Sequence, residues 1–557
     1  MKNLLRTILI FLSLGSYACL AAGPPAAAVA SAHPLATQAG MEIIQQGGNA
    51  FDAAVAMTAT LAVVEPYASG LGGGGFWLLH RASDGKQVML DGRETAPALA
   101  HPRMYQDKDG NVIKGLSLNG PLSAGIPGIP AGMVHLAEKY GRLPLKQTLK
   151  AAIRHARKGF KVTRRYQDLA SFRLDRLRQY PTAADIFLDN NNIPQIGHRI
   201  VQKDLARTLQ LLASNGADGF YRGELAEKMV QSVRQHGGIW SLQDLRDYKV
   251  IERQPVIAHY KGIKLISAPP PSSGGIVMAQ VFGILENFDL SAMDNIASKH
   301  HIIEAMRRAY RDRAVYLGDS DYFDVPVARL LDHDYLDGLA LGIDAKRATP
   351  SAELGDTPGL AQAGTQTTHF SVMDTDGNRV AATLSINLIF GSSFVAEGTG
   401  VLLNDEMDDF SIKSRTPNVY GLIGDKANAI EAGKRPLSSM SPTFLESKDR
   451  VAILGTPGGS RIISMVLLAA LDFAEGKLPT SWVSLSRYHH QYLPDVVQFE
   501  QNGLSFKEQR SLRELGHKLS EKNRRYGNMQ AILWDKKANR VYAASDPRGE
   551  GEAKVFK

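Results

Sequence analysis

The chain has 557 residues, of which 44% are hydrophobic and 22% are charged, and it carries a formal net charge of +8. These values are ordinary for a soluble globular protein with room for a large core. Its basic residues are scattered over predicted helix faces, as in residues 154–158 and 173–178, and do not form one stripe. The composition therefore argues against a nucleic-acid-binding protein.

Residues 1–22 are predicted to be a secretory signal peptide. Lys2 and Arg6 precede a short apolar run at residues 8–14, and small residues suited to cleavage follow. The run is too short to span a bilayer, so we expect export across the inner membrane to the periplasm, or release from the cell. The only cysteine, Cys19, lies in this segment. The mature chain is thus expected to lack disulfides, and lipidation at Cys19 stays open.

The N-terminal part is predicted to be mainly helical. Residues 34–46 form a helix closed by a glycine pair, and residues 52–64 form a helix of small side chains. Residues 70–75 have the spacing Gly-x-Gly-x-x-Gly, but a helix precedes them and a strand follows. A dinucleotide site requires the reverse order, so we expect only a close backbone approach there. Residues 143–237 look mainly helical.

The remaining chain alternates strands with helices and loops, which predicts a layered α/β protein. The predicted elements are a strand at 264–267, a helix from Ile276, a β-hairpin at 367–387, a strand at 451–454 and a helix at 462–473.

Thr367 opens the predicted hairpin after a loop-like run. If the chain is cut before Thr367, the hydroxyl and a new α-amine belong to one residue. The amine can then act as the base that activates the hydroxyl. Taken alone, a threonine here indicates only the start of a strand, because β-branched residues favour strands.

Several other groups would complete a site for an α-amino acid whose side-chain acyl group is attacked. The turn between the last predicted strand and helix offers backbone N–H groups to an oxyanion. Each group alone usually indicates a glycine turn, a helix cap, a solvated turn or a surface ion pair. The candidates are Gly458 and Gly459, the hydroxyl pair Ser438 and Ser439, the exposed-looking pair Asp408 and Asp409, and Arg93 at the end of a hairpin.

The adjacent histidines His489 and His490 do not form a metal site in this interpretation. They lack a cysteine or a spaced acidic partner, so their pattern does not match zinc-ligand spacing. We expect packing roles for both, and neither a metal nor a cofactor.

The chain resembles the γ-glutamyltranspeptidases from about residue 32 to residue 548. Seven blocks carry the resemblance, in order: 47–50 (GGNA), 72–76 (GGGGF), 270–275 (PPSSGG), 366–369 (QTTH), 403–404 with 407–410 (LN, MDDF), 435–442 (RPLSSMSP) and 457–461 (PGGSR). The resemblance implies an N-terminal-nucleophile hydrolase fold, an αββα sandwich. It also implies a proenzyme that cuts itself between Gln366 and Thr367. The products would be a large subunit (23–366) and a small subunit (367–557) that stay together as a heterodimer.

The resemblance further implies catalytic roles for four residues. Thr367 would be the nucleophile and the new N-terminus, and Gly458 and Gly459 would form the oxyanion hole. Ser385 stands where the family usually has a threonine that hydrogen-bonds the nucleophile's amine. Serine keeps the hydroxyl but loses the methyl that restricts χ1, so we expect activity to survive with a less ordered nucleophile.

The implied substrate-binding residues surround the α-carbon of a γ-glutamyl group. The family pattern assigns the α-ammonium to Asn387, Glu406 and Asp409, and the α-carboxylate to Arg93, Ser438 and Ser439. Tyr420 matches a lid over the bound group, which related acylases of β-lactam side chains often lack.

The implied activity is cleavage of γ-glutamyl amides such as glutathione, with transfer to water, amino acids or peptides. Two alternatives stay open at this point. One is an acylase of the same fold acting on glutaryl-cephalosporins or poly-γ-glutamate, and the other is an uncleaved protein that binds γ-glutamyl peptides. The ratio of hydrolysis to transpeptidation and the preferred acceptor also stay open.

Overall fold

The computed structural model describes residues 23–355, 367–414 and 416–557. The predicted signal peptide with Cys19, and Gln366, lie outside the described residues. In chain order the strands are β1 (Ala27–Ser31), β2 (Gly74–Arg81), β3 (Lys86–Gly92), β4 (Phe160–Lys161), β5 (Arg199–Ile200), β6 (Ile251–Arg253), β7 (Val256–Tyr260), β8 (Ile263–Ser267), β9 (Thr368–Met373), β10 (Arg379–Ser385), β11 (Val395–Ala396), β12 (Val401–Leu402), β13 (Thr443–Glu446), β14 (Arg450–Gly455), β15 (Tyr488–His489), β16 (Val497–Phe499), β17 (Leu519–Glu521), β18 (Gln530–Asp535), β19 (Arg540–Ser545) and β20 (Glu552–Phe556).

The α-helices, in the same order, are α1 (Pro34–Gln45), α2 (Ala50–Val64), α3 (Ile129–Lys139), α4 (Leu145–Thr148), α5 (Lys150–Lys158), α6 (Arg164–Arg178), α7 (Pro181–Phe187), α8 (Lys203–Asn215), α9 (Asp218–Tyr221), α10 (Gly223–Gln235), α11 (Leu242–Asp247), α12 (Gly274–Glu286), α13 (Asn295–Tyr316), α14 (Val327–Leu330), α15 (His333–Leu341), α16 (Ile462–Ala474), α17 (Pro479–Ser484) and α18 (Phe506–Glu514).

Two antiparallel sheets stack in the centre of the molecule. One has the strand order β20-β1-β9-β10-β2-β3-β6 and the other β19-β18-β14-β13-β8-β7. Strands β9 and β10 contact β14 across the interface between the sheets. Along β9, Phe370 and Val372 join the core under α2, whereas the Ser371 hydroxyl donates to the Gln530 carbonyl of the opposite sheet at 3.1 Å. This alternation is expected of a strand that is covered on both faces.

Helices cover the outer faces of both sheets. Helix α2 packs on β9 and β10, while α12 and α16 pack on strands of the second sheet. The small side chains of α2 allow every residue of the helix to be buried, and Asn49 caps its N-terminus in a capping box with Asp52. The order helix, sheet, sheet, helix is the expected αββα sandwich, which is confirmed.

The glycine-rich residues 70–75 make the predicted close backbone approach. A Cβ on Gly72 would lie 2.1 Å from the Leu402 carbonyl oxygen, and one on Gly73 would lie 2.1 Å from that of Ser385. Strand β2 begins at Gly74 and pairs with β10, so these glycines hold the end of β10 in place. The predicted helices at 34–46, 52–64 and 462–473 and the predicted hairpin are also confirmed.

Among the described residues, no helix is both long and apolar enough to cross a membrane.

Candidate active site

Thr367 lies at the start of the central hairpin, beside the end of the neighbouring strand. Leu384 pairs with Thr368 in the antiparallel ladder, so Thr367 and Ser385 are the next residues to face each other. Their hydroxyl oxygens are 3.4 Å apart, and Thr367 is buried. The Thr368 hydroxyl donates to the buried Glu65 carboxylate at 2.7 Å. The candidate nucleophile is therefore held by a strand in the middle of a sheet.

The turn of Gly458 and Gly459 connects β14 to a short 3₁₀ turn (Gly459–Arg461) and then to α16. Both glycines have positive φ, 155° at Gly458 and 57° at Gly459. A Cβ on Gly459 would lie 2.6 Å from the Tyr420 ring. Glycine is thus required both for the backbone conformation and for close contact with Tyr420.

Arg93 forms the charged centre of the site together with two carboxylates. One terminal nitrogen donates to Glu406 Oε2 at 2.6 Å and the other to Asp409 Oδ2 at 2.5 Å. Its Nε donates to the Pro436 carbonyl at 3.1 Å. The expectation that Arg93 forms a surface ion pair is therefore wrong, because its side chain is only 1% exposed. Arg93 was expected to bind the α-carboxylate of the substrate, and Glu406 and Asp409 its α-ammonium. In the structure these three side chains contact each other.

The exposed position expected for Asp408 is also wrong. Asp408 is buried, where it accepts hydrogen bonds from the Ser117 hydroxyl at 2.7 Å and from the Val419 N–H at 3.0 Å. Asp409 keeps 13% of its side chain exposed. The two adjacent carboxylates thus differ: Asp408 anchors the loop that follows, and Asp409 faces the cavity.

Burial controls the protonation of this acidic cluster. It raises the pKa of Glu406 to about 7, against the opposing charge of Arg93. Burial likewise raises the pKa of Glu94 well above its usual range, and that of Asp408 to about 6. A carboxylic acid is easier to bury than a carboxylate, so a further cation would favour the ionised form of Glu406.

Tyr420 lines the candidate active-site cavity from the loop that follows Asp409. Its hydroxyl donates to Asn387 Oδ1 and lies 3.0 Å from the Asn387 carbonyl oxygen. Asn387 also donates from Nδ2 to the Asp405 carbonyl at 2.9 Å. The Gln491 side chain joins this loop to the glycine turn, because it donates to the Tyr420 carbonyl at 3.2 Å and accepts from the Ser460 hydroxyl at 2.7 Å.

Ser438 and Ser439 lie on the other wall with Arg313, which sequence reasoning missed. Arg313 donates to the hydroxyls of Ser439 at 3.3 Å and Ser273 at 3.0 Å. It is fully buried with no carboxylate within 4 Å in the described part of the chain, and burial lowers its pKa to about 10. A cluster of arginines in one helix was the available signal, but such clusters usually form solvated faces.

One small cavity collects nearly all the predicted residues. It measures about 20 Å³, which suits one or two water molecules and not an amino-acid acyl group. Of the predicted residues, those lining it are Arg93, Thr367, Ser385, Asn387, Glu406, Asp409, Tyr420, Ser438, Ser439 and Gly459. Gly458 lines the neighbouring cavity, which meets the first at the glycine turn.

The paired histidines have structural contacts. His489 hydrogen-bonds the Ser464 hydroxyl and Gln491 at 2.9 Å each, and His490 lies 3.3 Å from Asp495. Burial lowers the pKa of His489 to about 3, so its ring is neutral. Over residues 23–355, 367–414 and 416–557, no group of three or more His, Cys, Asp or Glu side chains could hold a metal ion.

Comparisons with known proteins agree on one family. The family model described as gamma-glutamyltranspeptidase matches residues 36–556. The chain is 43% identical over 538 residues to the glutathione hydrolase proenzyme of Pseudomonas sp. (strain A14), which covers 93% of this chain and 92% of that one.

Two solved structures show the same likeness. One is a cephalosporin acylase from Bacillus halodurans, with a TM-score of 0.84, 28% identity and coverage of 96% of both chains. The other is the gamma-glutamyltranspeptidase of Helicobacter pylori, with a TM-score of 0.57 and 41% identity over 58% of this chain and 93% of that chain.

Proposed function

The chain belongs to the γ-glutamyltranspeptidase family and is a γ-glutamyl transferase and glutathione hydrolase, and we propose that Thr367 performs both its self-cleavage and its catalysis. One observation carries the assignment of residues. The Thr367 hydroxyl shares one buried cavity with a Ser385 hydroxyl, the glycine turn and the Arg93 ion pairs. These are the groups that acyl transfer from an α-amino acid side chain requires.

Maturation begins at the bond between Gln366 and Thr367. The Thr367 hydroxyl attacks the Gln366 carbonyl carbon, the peptide C–N bond breaks, and an ester forms while the α-amine becomes free. Water then hydrolyses the ester, leaving a large subunit of residues 23–366 and a small subunit of residues 367–557. Strands β9 and β10 of the small subunit lie between β1 and β2 of the large one. This interleaving supports a heterodimer that stays together after the cut.

Turnover uses the same hydroxyl on a different carbonyl. The free amine of Thr367 takes the hydroxyl proton as the oxygen attacks the γ-carbonyl carbon of glutathione or another γ-glutamyl amide. The N–H groups of Gly458 and Gly459 stabilise the resulting oxyanion, and loss of one such donor typically costs about 10²–10³ in rate. The amine leaves with a proton, and water or an acceptor amine attacks the γ-glutamyl ester.

An exchange of ion-pair partners accounts for recognition of the carboxylate and the ammonium on the substrate's α-carbon. Within the site Arg93 binds Asp409 and Glu406. A zwitterionic γ-glutamyl group offers its carboxylate to Arg93, with Ser438 and Ser439 as additional donors, and its ammonium to the two carboxylates and to Asn387. The substrate thus offers an anion to Arg93 and a cation to Glu406 and Asp409, without leaving a buried charge unpaired. Because the cavity is small, Tyr420 moves as the acyl group enters.

Likeness to a cephalosporin acylase makes a glutaryl substrate the second candidate. A glutaryl group lacks the ammonium. It would therefore compete with Asp409 for Arg93 without providing a cation to Asp409. Comparing hydrolysis of γ-glutamyl and glutaryl anilides separates the two, and we expect the γ-glutamyl compound to be preferred by at least about 10²-fold, as for a missing charged contact.

We also propose that the protein is exported and that residues 1–22 are removed. The support is the basic start, short apolar run and small residues of that segment.

The first test is the intact mass of the purified protein under denaturing conditions. We expect two fragments, the smaller beginning at Thr367. Thr367→Ala should give one uncut chain with no activity, because neither ester can form. Thr367→Ser keeps a hydroxyl and should still be cut. A processed or active alanine variant would refute the nucleophile, and an uncut wild type would favour a binding protein.

A further inference from the structure

A second cavity, the arginine groove, adjoins the active site at the glycine turn. It measures about 560 Å³ and lies between α6 and the segments 524–527 and 548–550. Pro457 and Gly458 form part of its wall, whereas Gly459 lines the small cavity that contains Thr367 and Arg93, which we call the acyl cavity. Adjacent residues of the turn that we propose as the oxyanion hole therefore line the two cavities.

The groove is strongly cationic. Five arginines line it against two carboxylates, and these residues are Arg164, Arg165, Arg524, Arg525, Arg548, Asp168 and Glu550. Arg164 pairs with Asp168 at 2.9 Å, and Arg548 pairs with Glu500 at 2.5 Å. An excess of positive charge remains beside the glycine turn.

Two of the arginines have no carboxylate of their own. Throughout the described ranges, no acidic oxygen lies within 4 Å of the guanidinium groups of Arg165 or Arg524. The Nε atom of Arg165 is buried without a hydrogen-bond partner. Arg525 lies only 4.0 Å from Glu500, which is already bound to Arg548. The charge of Arg165 opposes the rise in the pKa of the buried Glu65, so Arg165 already acts on a carboxyl group of the protein. The exposed Arg524 and Arg525 are therefore the groove cations best placed to bind an anion.

The position of the groove identifies that anion. With the γ-glutamyl half in the acyl cavity and the scissile carbonyl at the glycine turn, the amine half of the substrate extends past Gly458. In a peptide substrate that half ends in a carboxylate within two residues, and two extended residues span about 7 Å. Phe172, which is 67% exposed on the groove wall, offers apolar contact to a side chain.

We propose that the arginine groove binds the C-terminal carboxylate of the peptide half of the substrate. The ligand class is an amino acid or short peptide with a free carboxylate, both as leaving group and as acceptor, because the two occupy the same place in forward and reverse transfer. The proposal rests on the proposed function, since it takes Thr367 as nucleophile and the glycine turn as oxyanion hole.

The test compares two substrates with the same acyl group. Glutathione carries the carboxylate, whereas γ-glutamyl p-nitroanilide has an uncharged leaving group. In the double variant Arg524→Ala/Arg525→Ala, the ratio of kcat/KM for glutathione to kcat/KM for the anilide should fall about 3- to 10-fold, the range for partly solvated charge contacts. Added salt should reduce the wild-type ratio in the same direction.

Two control variants and one modified substrate keep the result specific. Arg510→Ala removes an arginine that is 82% exposed and outside the groove, so it should leave the ratio as in wild type. The double variant Arg524→Lys/Arg525→Lys keeps both charges, so its ratio of kcat/KM values should lie close to that of wild type. C-terminally amidated glutathione should lower kcat/KM in wild type but add little to the loss in the double alanine variant, because both changes remove one interaction.

The outcomes separate the two proposals. If wild type cleaves neither substrate, the proposed function fails. If it cleaves both, and the double alanine variant keeps the ratio of Arg510→Ala, the groove does not bind the carboxylate. An additive effect of amidation would equally overturn the carboxylate assignment.

Discussion

The acyl cavity and the arginine groove use arginine in opposite ways, although they share the glycine turn. In the acyl cavity Arg93 is 1% exposed and is held by carboxylate oxygens at 2.6 and 2.5 Å. In the groove Arg164 is 74% exposed and Arg525 is 50% exposed. The charge of Arg93 is compensated by protein carboxylates, whereas the exposed Arg524 and Arg525 of the groove face solvent.

This difference in burial predicts which half of the substrate is selected more strictly. A buried ion pair cannot lose one member without a large cost, so the acyl cavity accepts only a ligand that restores the charge balance. Exposed arginines contribute little each and adapt to several positions of a carboxylate. We therefore expect narrow selection of the γ-glutamyl half and broader selection of the amine half.

Removing Arg93 should have the largest effect on this contrast. Arg93→Ala leaves Glu406 and Asp409 without their cation, and it would delete the proposed contact to the substrate carboxylate. We expect KM for a γ-glutamyl anilide to rise at least about 10²-fold, and the free energy of unfolding to fall by about 3–5 kcal/mol. Steady-state kinetics and denaturant unfolding measure the two effects.

Arg93→Lys is the matched control. Lysine keeps the charge but cannot bind two carboxylates with a planar fork, so KM should lie between wild type and Arg93→Ala. An unchanged KM in the alanine variant would contradict the assignment of Arg93 to the substrate.

Replacing Glu406 with glutamine should have an intermediate, pH-dependent effect. Burial raises the pKa of Glu406 from 4.5 to about 7, so the folded protein binds more protons than the unfolded chain between those values. The stability contributed by this group is thus present at low pH and lost as pH rises toward 7. Relative to Glu406→Gln, wild type should lose about 1–3 kcal/mol between pH 5 and pH 8, measured by urea unfolding.

The glutamine variant keeps a hydrogen-bond acceptor for Arg93 and does not titrate. A stability difference that is the same at both pH values would mean that Glu406 stays ionised throughout, held by Arg93.

Replacing Ser385 with threonine should have the smallest effect. The Ser385 hydroxyl accepts from the Asn387 N–H at 2.8 Å and faces Thr367. The added methyl of Ser385→Thr restricts χ1, so kcat should rise about 2- to 5-fold through reduced rotamer freedom. Ser385→Ala, in contrast, should lower kcat and slow processing. A slower threonine variant would show that the serine is adapted to its surroundings.

Local pattern was enough to predict several parts of the site. The hairpin with Thr367 at its start, and the strand, glycine turn and helix around Gly458, both follow from short-range periodicity and turn residues. The resemblance to one family then supplied the αββα sandwich and the roles of individual residues. Both depend on neighbours in sequence or on matching blocks, which a single chain displays directly.

Local sequence pattern could not predict the contacts between residues that are distant in the chain. Arg93 meets Glu406 across more than three hundred positions, and Arg313 meets Ser439 across more than one hundred. Local pattern classified Arg93 as a surface residue and Asp408 as exposed, because charged residues usually are. Gln491, which ties the Tyr420 loop to the glycine turn, had no sequence signal.

The sequence by itself predicted the class of chemistry, with Thr367 as the proposed N-terminal nucleophile and a glycine turn after a strand as the proposed source of oxyanion donors. Only the tertiary structure decided which charges are buried and which partners they have. It also decided that the arginine groove lies beside the glycine turn. The physical reason is that secondary structure and turns depend on residues close in the chain. The burial and pairing of a charge depend instead on which distant segments pack around it.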